Sequence, residues 1–66
     1  MPVINYQGTK MSARQKQELI KRFTEIAADI SQTPARYFTV VIQEFDDDSL
    51  GTGGKTVAEI KTQINK

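Results

Sequence analysis

The sequence predicts an α+β fold: a β-α-β unit in which two parallel strands are joined by one crossover helix, occupying residues 1–66 as a single domain. Three observations predict it. A short run of strand formers opens the chain, a capped amphipathic segment follows, and a second run dense in β-branched and aromatic residues comes after Pro34. Strand, helix, strand in that order makes the two strands parallel, with a right-handed crossover.

The first strand is predicted over Val3 to Gln7, where Val3, Ile4 and Tyr6 favour extended backbone and Gly8-Thr9 ends the run. Pro2 is tolerated at its start because a strand edge needs no donor there. Ser12, followed three residues on by Gln15, is a capping box that opens the helix. Leu19, Ile20, Phe23, Ile26, Ala27 and Ile30 then recur with helical period as one apolar stripe, while Lys16, Glu18, Lys21, Arg22, Glu25 and Asp29 fall mostly on the other faces. The helix is expected to stop near Ser31, since Pro34 disfavours helical backbone at Thr33, and a short turn capped by Thr33 begins there. Phe38 to Phe45 reads as the second strand, with Phe38, Val40 and Ile42 on one side and Thr39, Val41 and Gln43 on the other. Val57 to Asn65 can add a last helical turn or two, and Leu50, Val57 and Ile60 are apolar residues suited to covering a neighbour's surface.

Composition limits the chemistry. The chain has no Cys and no His, which excludes a disulfide, a zinc site of the usual ligands, and Ser-His-Asp or Cys-His catalysis. Nine Lys+Arg against eight Asp+Glu leave a net charge of +1, without the basic excess of a nucleic-acid binder. No uninterrupted apolar stretch exceeds three residues, so no membrane-spanning helix is expected, and no secretory signal opens the chain. A soluble cytoplasmic protein with no nucleic-acid and no membrane partner is the expectation. A domain this small buries only about 60% of the surface of its unfolded chain. Without disulfides or metal, it is expected to gain the rest by self-association.

Two local patterns invite a site and are better read as structure. Gly53-Gly54-Lys55-Thr56 lacks the earlier glycine of a phosphate-binding loop, Ser49 standing in its place, and no long helix can follow it. The glycines suit a tight turn in a hairpin. Adjacent residues of Asp46-Asp47-Asp48 point in alternate directions on an extended chain, so they suit a solvated strand end better than a cation. No metal site is assigned.

Pro2 is either a routine small residue beside the initiator, which composition does not reject, or the candidate for proton-transfer chemistry. Initiator methionine is normally removed before proline, and removal of Met1 would leave Pro2 a secondary amine at the chain start. An α-amino group titrates near ~7.7–8.0, closer to neutrality than most side chains, and burial or neighbouring cations lower it. A neutral amine is a usable general base, the best one available in a chain without histidine. If Met1 stays, the Pro2 nitrogen is an amide and has no basic lone pair.

The whole chain resembles the 4-oxalocrotonate tautomerase family, especially its short homohexameric branch. The matching residues are Met1-Pro2-Val3-Ile4-Asn5, Ser12 with Gln15-Lys16, Leu19-Ile20, Pro34, Val40 with Ile42 and Glu44, and Leu50-Gly51 with Gly53-Gly54, in order over nearly all of the chain. The resemblance implies a trimer of dimers, each dimer a four-stranded sheet carrying two helices. It also implies a cofactor-independent tautomerase that interconverts the enol and keto forms of a small anionic 2-oxo acid, with Pro2 as the base that takes the hydroxyl proton and returns it to carbon.

The sequence departs from the family at its cations. The arginine before the helix is replaced by Met11 and the one early in the second strand by Thr39, while the apolar wall residue falls at Leu50. A dicarboxylate substrate thereby loses its two cationic partners. The substrate-binding candidates are Arg36, three residues before Thr39, then Lys10 and Arg14 beside Met11, with Thr39 and Leu50 at the family's own positions. Two readings stay open: the tautomerase, and a non-enzymatic oligomeric interaction module that keeps the fold without the chemistry.

Overall fold

A computed structural model describes residues 1–64 of the chain. Strand β1 spans Val3–Thr9, helix α1 Ala13–Ser31 and strand β2 Thr39–Phe45; a small hairpin of β3, Gly51–Thr52, and β4, Lys55–Thr56, leads into helix α2, Val57–Ile64. One-turn 3-10 segments at Ala35–Tyr37 and Asp47–Ser49 flank β2. Strands β1 and β2 pair in parallel along their whole length, from Val3 opposite Thr39 to Thr9 opposite Phe45.

The pleat sorts the side chains by face. Ile4, Tyr6 and Gly8 on β1 and Val40, Ile42 and Glu44 on β2 are half-buried beneath α1, and Val3, Asn5, Gln7, Thr39, Val41 and Gln43 are exposed on the opposite face, while Thr9 and Phe45 at the strand ends are half-buried. Helix α1 lays Lys16, Leu19, Phe23 and Ala27 toward the sheet, and the Phe23 ring meets the Tyr6 ring with centroids 6.2 Å apart. Tyr6 in turn folds over Gly8. A Cβ there would lie 3.0 Å from the Tyr6 ring, so the glycine clears the space the ring occupies. The first strand therefore runs two residues further than Gly8 suggests as a stop: the glycine is a packing site and not a turn.

Both ends of α1 are fixed locally. The Gln15 N–H donates to Ser12 Oγ at 3.1 Å and the Ser12 N–H to Gln15 Oε1 at 3.0 Å, the reciprocal cap expected from the sequence. Gln32 ends the helix in left-handed backbone, φ 58°, with its amide nitrogen donating to the Asp29 carbonyl at 2.8 Å. Thr33 does not cap the turn that follows. Pro34 occupies that position without a side-chain hydrogen bond. Phe38 also falls outside β2, because its N–H is taken by the Ala35 carbonyl at 3.1 Å.

At the far end the hairpin turns through Gly53 and Gly54, with φ of 62° and 84°, the two positive values a tight two-residue turn needs. Thr56 and Glu59 form a second capping box: the Glu59 N–H donates to Thr56 Oγ1 and the Thr56 N–H to Glu59 Oε1, both at 3.2 Å. That box makes α2 a defined helix of two turns; Asn65 lies outside the described residues.

No described residue is buried. The apolar stripe of α1 is wider than two strands can cover, so Ile20, Ile26 and Ile30 remain 42%, 61% and 78% exposed. On the bare face of the sheet Val3 is 52% and Val41 37% exposed. Among the described residues no helix is long and apolar enough to cross a membrane.

Candidate active site

Parallel pairing gives the sheet two chemically different ends. The start of both strands gathers Pro2, Thr39 and the turn that carries Arg36; their finish gathers Lys10 and Asp46, about 20 Å away at ~3.3 Å per residue. Pro2 is half-buried, and its carbonyl accepts the Thr39 N–H at 3.0 Å, extending the ladder one step before Val3. Met1 beyond it is 92% exposed. Thr39 itself stands exposed on the uncovered face of the sheet.

Arg36 lies in the 3-10 turn Ala35–Tyr37, exposed, with its Cζ 4.7 Å from the Tyr37 ring centroid and its Nη2 donating to the Tyr37 hydroxyl at 3.3 Å. No carboxylate among the described residues pairs with it. Lys10 is occupied: its ammonium sits 3.1 Å from Asp46 Oδ1, and that hydrogen bond and charge raise its pKa. Arg14 is exposed in the first turn of α1. Leu50 is half-buried past the end of β2, its carbonyl accepting the Val57 N–H at 2.9 Å. One protomer thus brings together Pro2, Thr39 and the Arg36 turn, and holds Lys10 and Leu50 at the opposite end.

That opposite end has its own organisation. Glu44, on the helix-facing side of β2, accepts the Met11 N–H at 2.8 Å and the Lys16 ammonium at 2.9 Å. The Met11 amide first, then the lysine, hold its carboxyl below the ordinary glutamate value. Met11 is thereby fixed at the mouth of an open groove of about 400 Å³ that it shares with Tyr6, Gln15, Glu18, Leu19 and Arg22. The groove is cationic only through Arg22, which Glu18 engages at 3.2 Å. Of the three aspartates, Asp46 pairs with Lys10 and Asp47 with Lys61 at 3.1 Å, which makes the run an ion-paired corner. Among the described residues no group of acidic side chains is arranged to hold a metal ion.

Comparison with known proteins decides the family. The family model described as a tautomerase enzyme matches residues 2–60. The chain belongs to the tautomerase family. A probable tautomerase from Dickeya dadantii (strain 3937) is 36% identical over 68 residues, covering 98% of this chain and all of the relative. Among solved structures, DmpI from Archaeoglobus fulgidus is 33% identical with a TM-score of 0.82, covering 86% of this chain and 98% of that one. A heterohexamer 4-oxalocrotonate tautomerase from Chloroflexus aurantiacus J-10-fl is 26% identical with a TM-score of 0.86, covering 91% and 98%. The β-α-β unit of this tautomerase is thus the fold of 4-oxalocrotonate tautomerases, and an enzyme of tautomerase type is what the family membership supports.

Proposed function

We propose that this tautomerase, once Met1 is removed, uses the Pro2 amine as general base to interconvert the enol and keto forms of a small 2-oxo acid. The neutral secondary amine takes the enol hydroxyl proton as the carbon–oxygen double bond forms. The electron pair moves to the distal carbon, and the resulting ammonium returns its proton there. The amine begins and ends neutral, so the step needs no cofactor. A guanidinium close by holds the substrate carboxylate and steadies the developing enolate.

The observation that carries this reading is the family match over residues 2–60 together with the tie between Pro2 and the start of β2, three residues after Arg36. With arginine absent at positions 11 and 39, a single carboxylate is the better substrate chemistry. Self-association belongs to the same proposal. A chain with no buried residue among those described, with Val3 and Val41 exposed on its sheet and Leu50 past the far end of β2 from its own Pro2, is suited to a site assembled from several copies, as in a homohexamer.

The test begins with intact-mass spectrometry to separate Met-free from Met-retaining protein. Ketonisation of phenylenolpyruvate and 2-hydroxymuconate is then followed by ultraviolet absorbance. The Met-free parent is expected to exceed its Pro2→Ala variant and the Met-retaining form by about 10²–10⁴-fold, the range of a positioned general base. Equal rates for parent and Pro2→Ala would remove proline from the mechanism and favour the interaction module.

A further inference from the structure

Arg36 and Tyr37 are sequence neighbours, and neighbours on extended chain point apart. Here the 3-10 turn brings them face to face, guanidinium carbon 4.7 Å from the ring centroid and Nη2 3.3 Å from the hydroxyl. The turn is braced: the Tyr37 N–H donates to the Pro34 carbonyl and the Phe38 N–H to the Ala35 carbonyl, both at 3.1 Å, and the Pro34 ring restrains the entry at φ −57°. Arg22, Lys10, Lys16 and Lys61 are each held by an acid, whereas the Arg36 guanidinium is held by an aromatic ring, which restrains it without neutralising it. The hydroxyl occupies one of its five N–H donors. The others remain for a planar, bidentate anion.

We propose that Tyr37 is a positioning residue: its ring and hydroxyl hold the Arg36 guanidinium in place, pre-arranged to receive the carboxylate of a monoanionic 2-oxo acid at the Pro2 end of the sheet. The inference rests on the reading of Pro2 as base only for where the carboxylate lies. The energetic logic is that of a pre-ordered side chain, since arginine gives up much rotamer freedom on binding and the stack removes part of that loss beforehand. The ring is itself 49% exposed, which leaves it able to border an apolar substituent of the bound acid.

The experiment titrates phenylpyruvate into the Met-free protein by calorimetry and follows phenylenolpyruvate ketonisation in parallel. The variants are Tyr37→Leu, Tyr37→Phe, Arg36→Ala and the Arg36→Ala/Tyr37→Leu pair, each checked for parental helix content by circular dichroism. Tyr37→Leu is expected to raise Kd and KM about two- to fivefold, the worth of an exposed cation–π stack, with kcat within about twofold. Tyr37→Phe keeps the ring and is expected to fall between parent and Tyr37→Leu. In the Arg36→Ala background Tyr37→Leu is expected to have no further effect, because the ring then has nothing to position. Parental Kd in Tyr37→Leu, an equal loss with and without Arg36, or no phenylpyruvate binding by the parent at millimolar concentration would each overturn the inference. Repeating the titration in Pro2→Ala separates the two readings: full catalysis there sinks the proline base, while the Kd values still judge Tyr37.

Discussion

Glu44 and Lys16 meet at 2.9 Å between β2 and α1, both half-buried, and the same carboxylate holds the Met11 N–H at 2.8 Å. This one side chain joins the sheet to the entry loop and to the first turn of the helix.

A pH dependence follows from it. The Met11 amide and the Lys16 ammonium favour the charged carboxylate, so the folded pKa lies below the unfolded one. A depressed carboxylate contributes stability that is fully present above its unfolded value, about 4.3, and lost as pH falls through the folded value. Thermal midpoints of the parent should therefore drop on acidification below about pH 4.3, and Glu44→Gln should start lower at neutral pH with a flatter acid limb. An unchanged acid limb in Glu44→Gln would show that other carboxylates control it.

Gln32 adopts left-handed backbone that costs a side-chain-bearing residue roughly 1–2 kcal/mol and glycine far less. Its hydrogen bond to the Asp29 carbonyl is exposed and offsets only part of that. Gln32→Gly is expected to gain about 0.5–1 kcal/mol, a rise of roughly 2–8 °C in Tm for a chain this short. A fall in Tm would mean that the amide contact outweighs the backbone.

Arg36→Ala should raise KM for an anionic substrate and cost about ten- to a hundredfold in kcat/KM, the worth of a charge-assisted contact. Lys10→Ala and Arg14→Ala measured beside it rank the three cations. Arg36 is expected first, because Lys10 is already committed to Asp46 and Arg14 lies in the first turn of α1, at the other end of the sheet. Arg36→Ala within twofold of the parent would make it a surface charge, and the reverse order would pass the role to Lys10.

What the sequence makes legible is whatever one local period determines. Alternation places β1 and β2, the stripe places α1, and Ser12 with Gln15 marks its first residue. The proximity of Pro2 and Thr39 then follows from parallel pairing. Harder to read is how wide a face the partner element offers: six apolar residues suggest a buried stripe, but a two-stranded sheet leaves Ile26 and Ile30 uncovered. The stack of Arg36 on Tyr37 depends on a 3-10 turn that three residues of sequence do not specify. The pairing of Lys10 with Asp46 depends on where two strands finish side by side. Thr56 and Glu59 were a signal in plain view, the same three-residue spacing as the first cap, and they define α2.

The bare face of the sheet yields the last prediction. Val3 and Val41 lie there among Asn5, Gln7, Thr39 and Gln43, with Gln7 Nε2 donating to Gln43 Oε1 at 2.7 Å across the strands. Val41 is the least exposed of the two valines and the more central, so a charge on it would be desolvated by any copy seated on this face. If copies assemble through this surface and a site needs more than one of them, Val41→Asp should dissociate the assembly. Activity should fall with it, although position 41 is on neither Pro2 nor Arg36. Sedimentation velocity and specific activity measured over the same dilution series test the two together. Loss of assembly with full activity retained would show that each protomer carries a complete site. A Val41→Asp protein sedimenting like its parent would move the contact to another surface, with the exposed flank of α1 at Ile26 and Ile30 next to be charged.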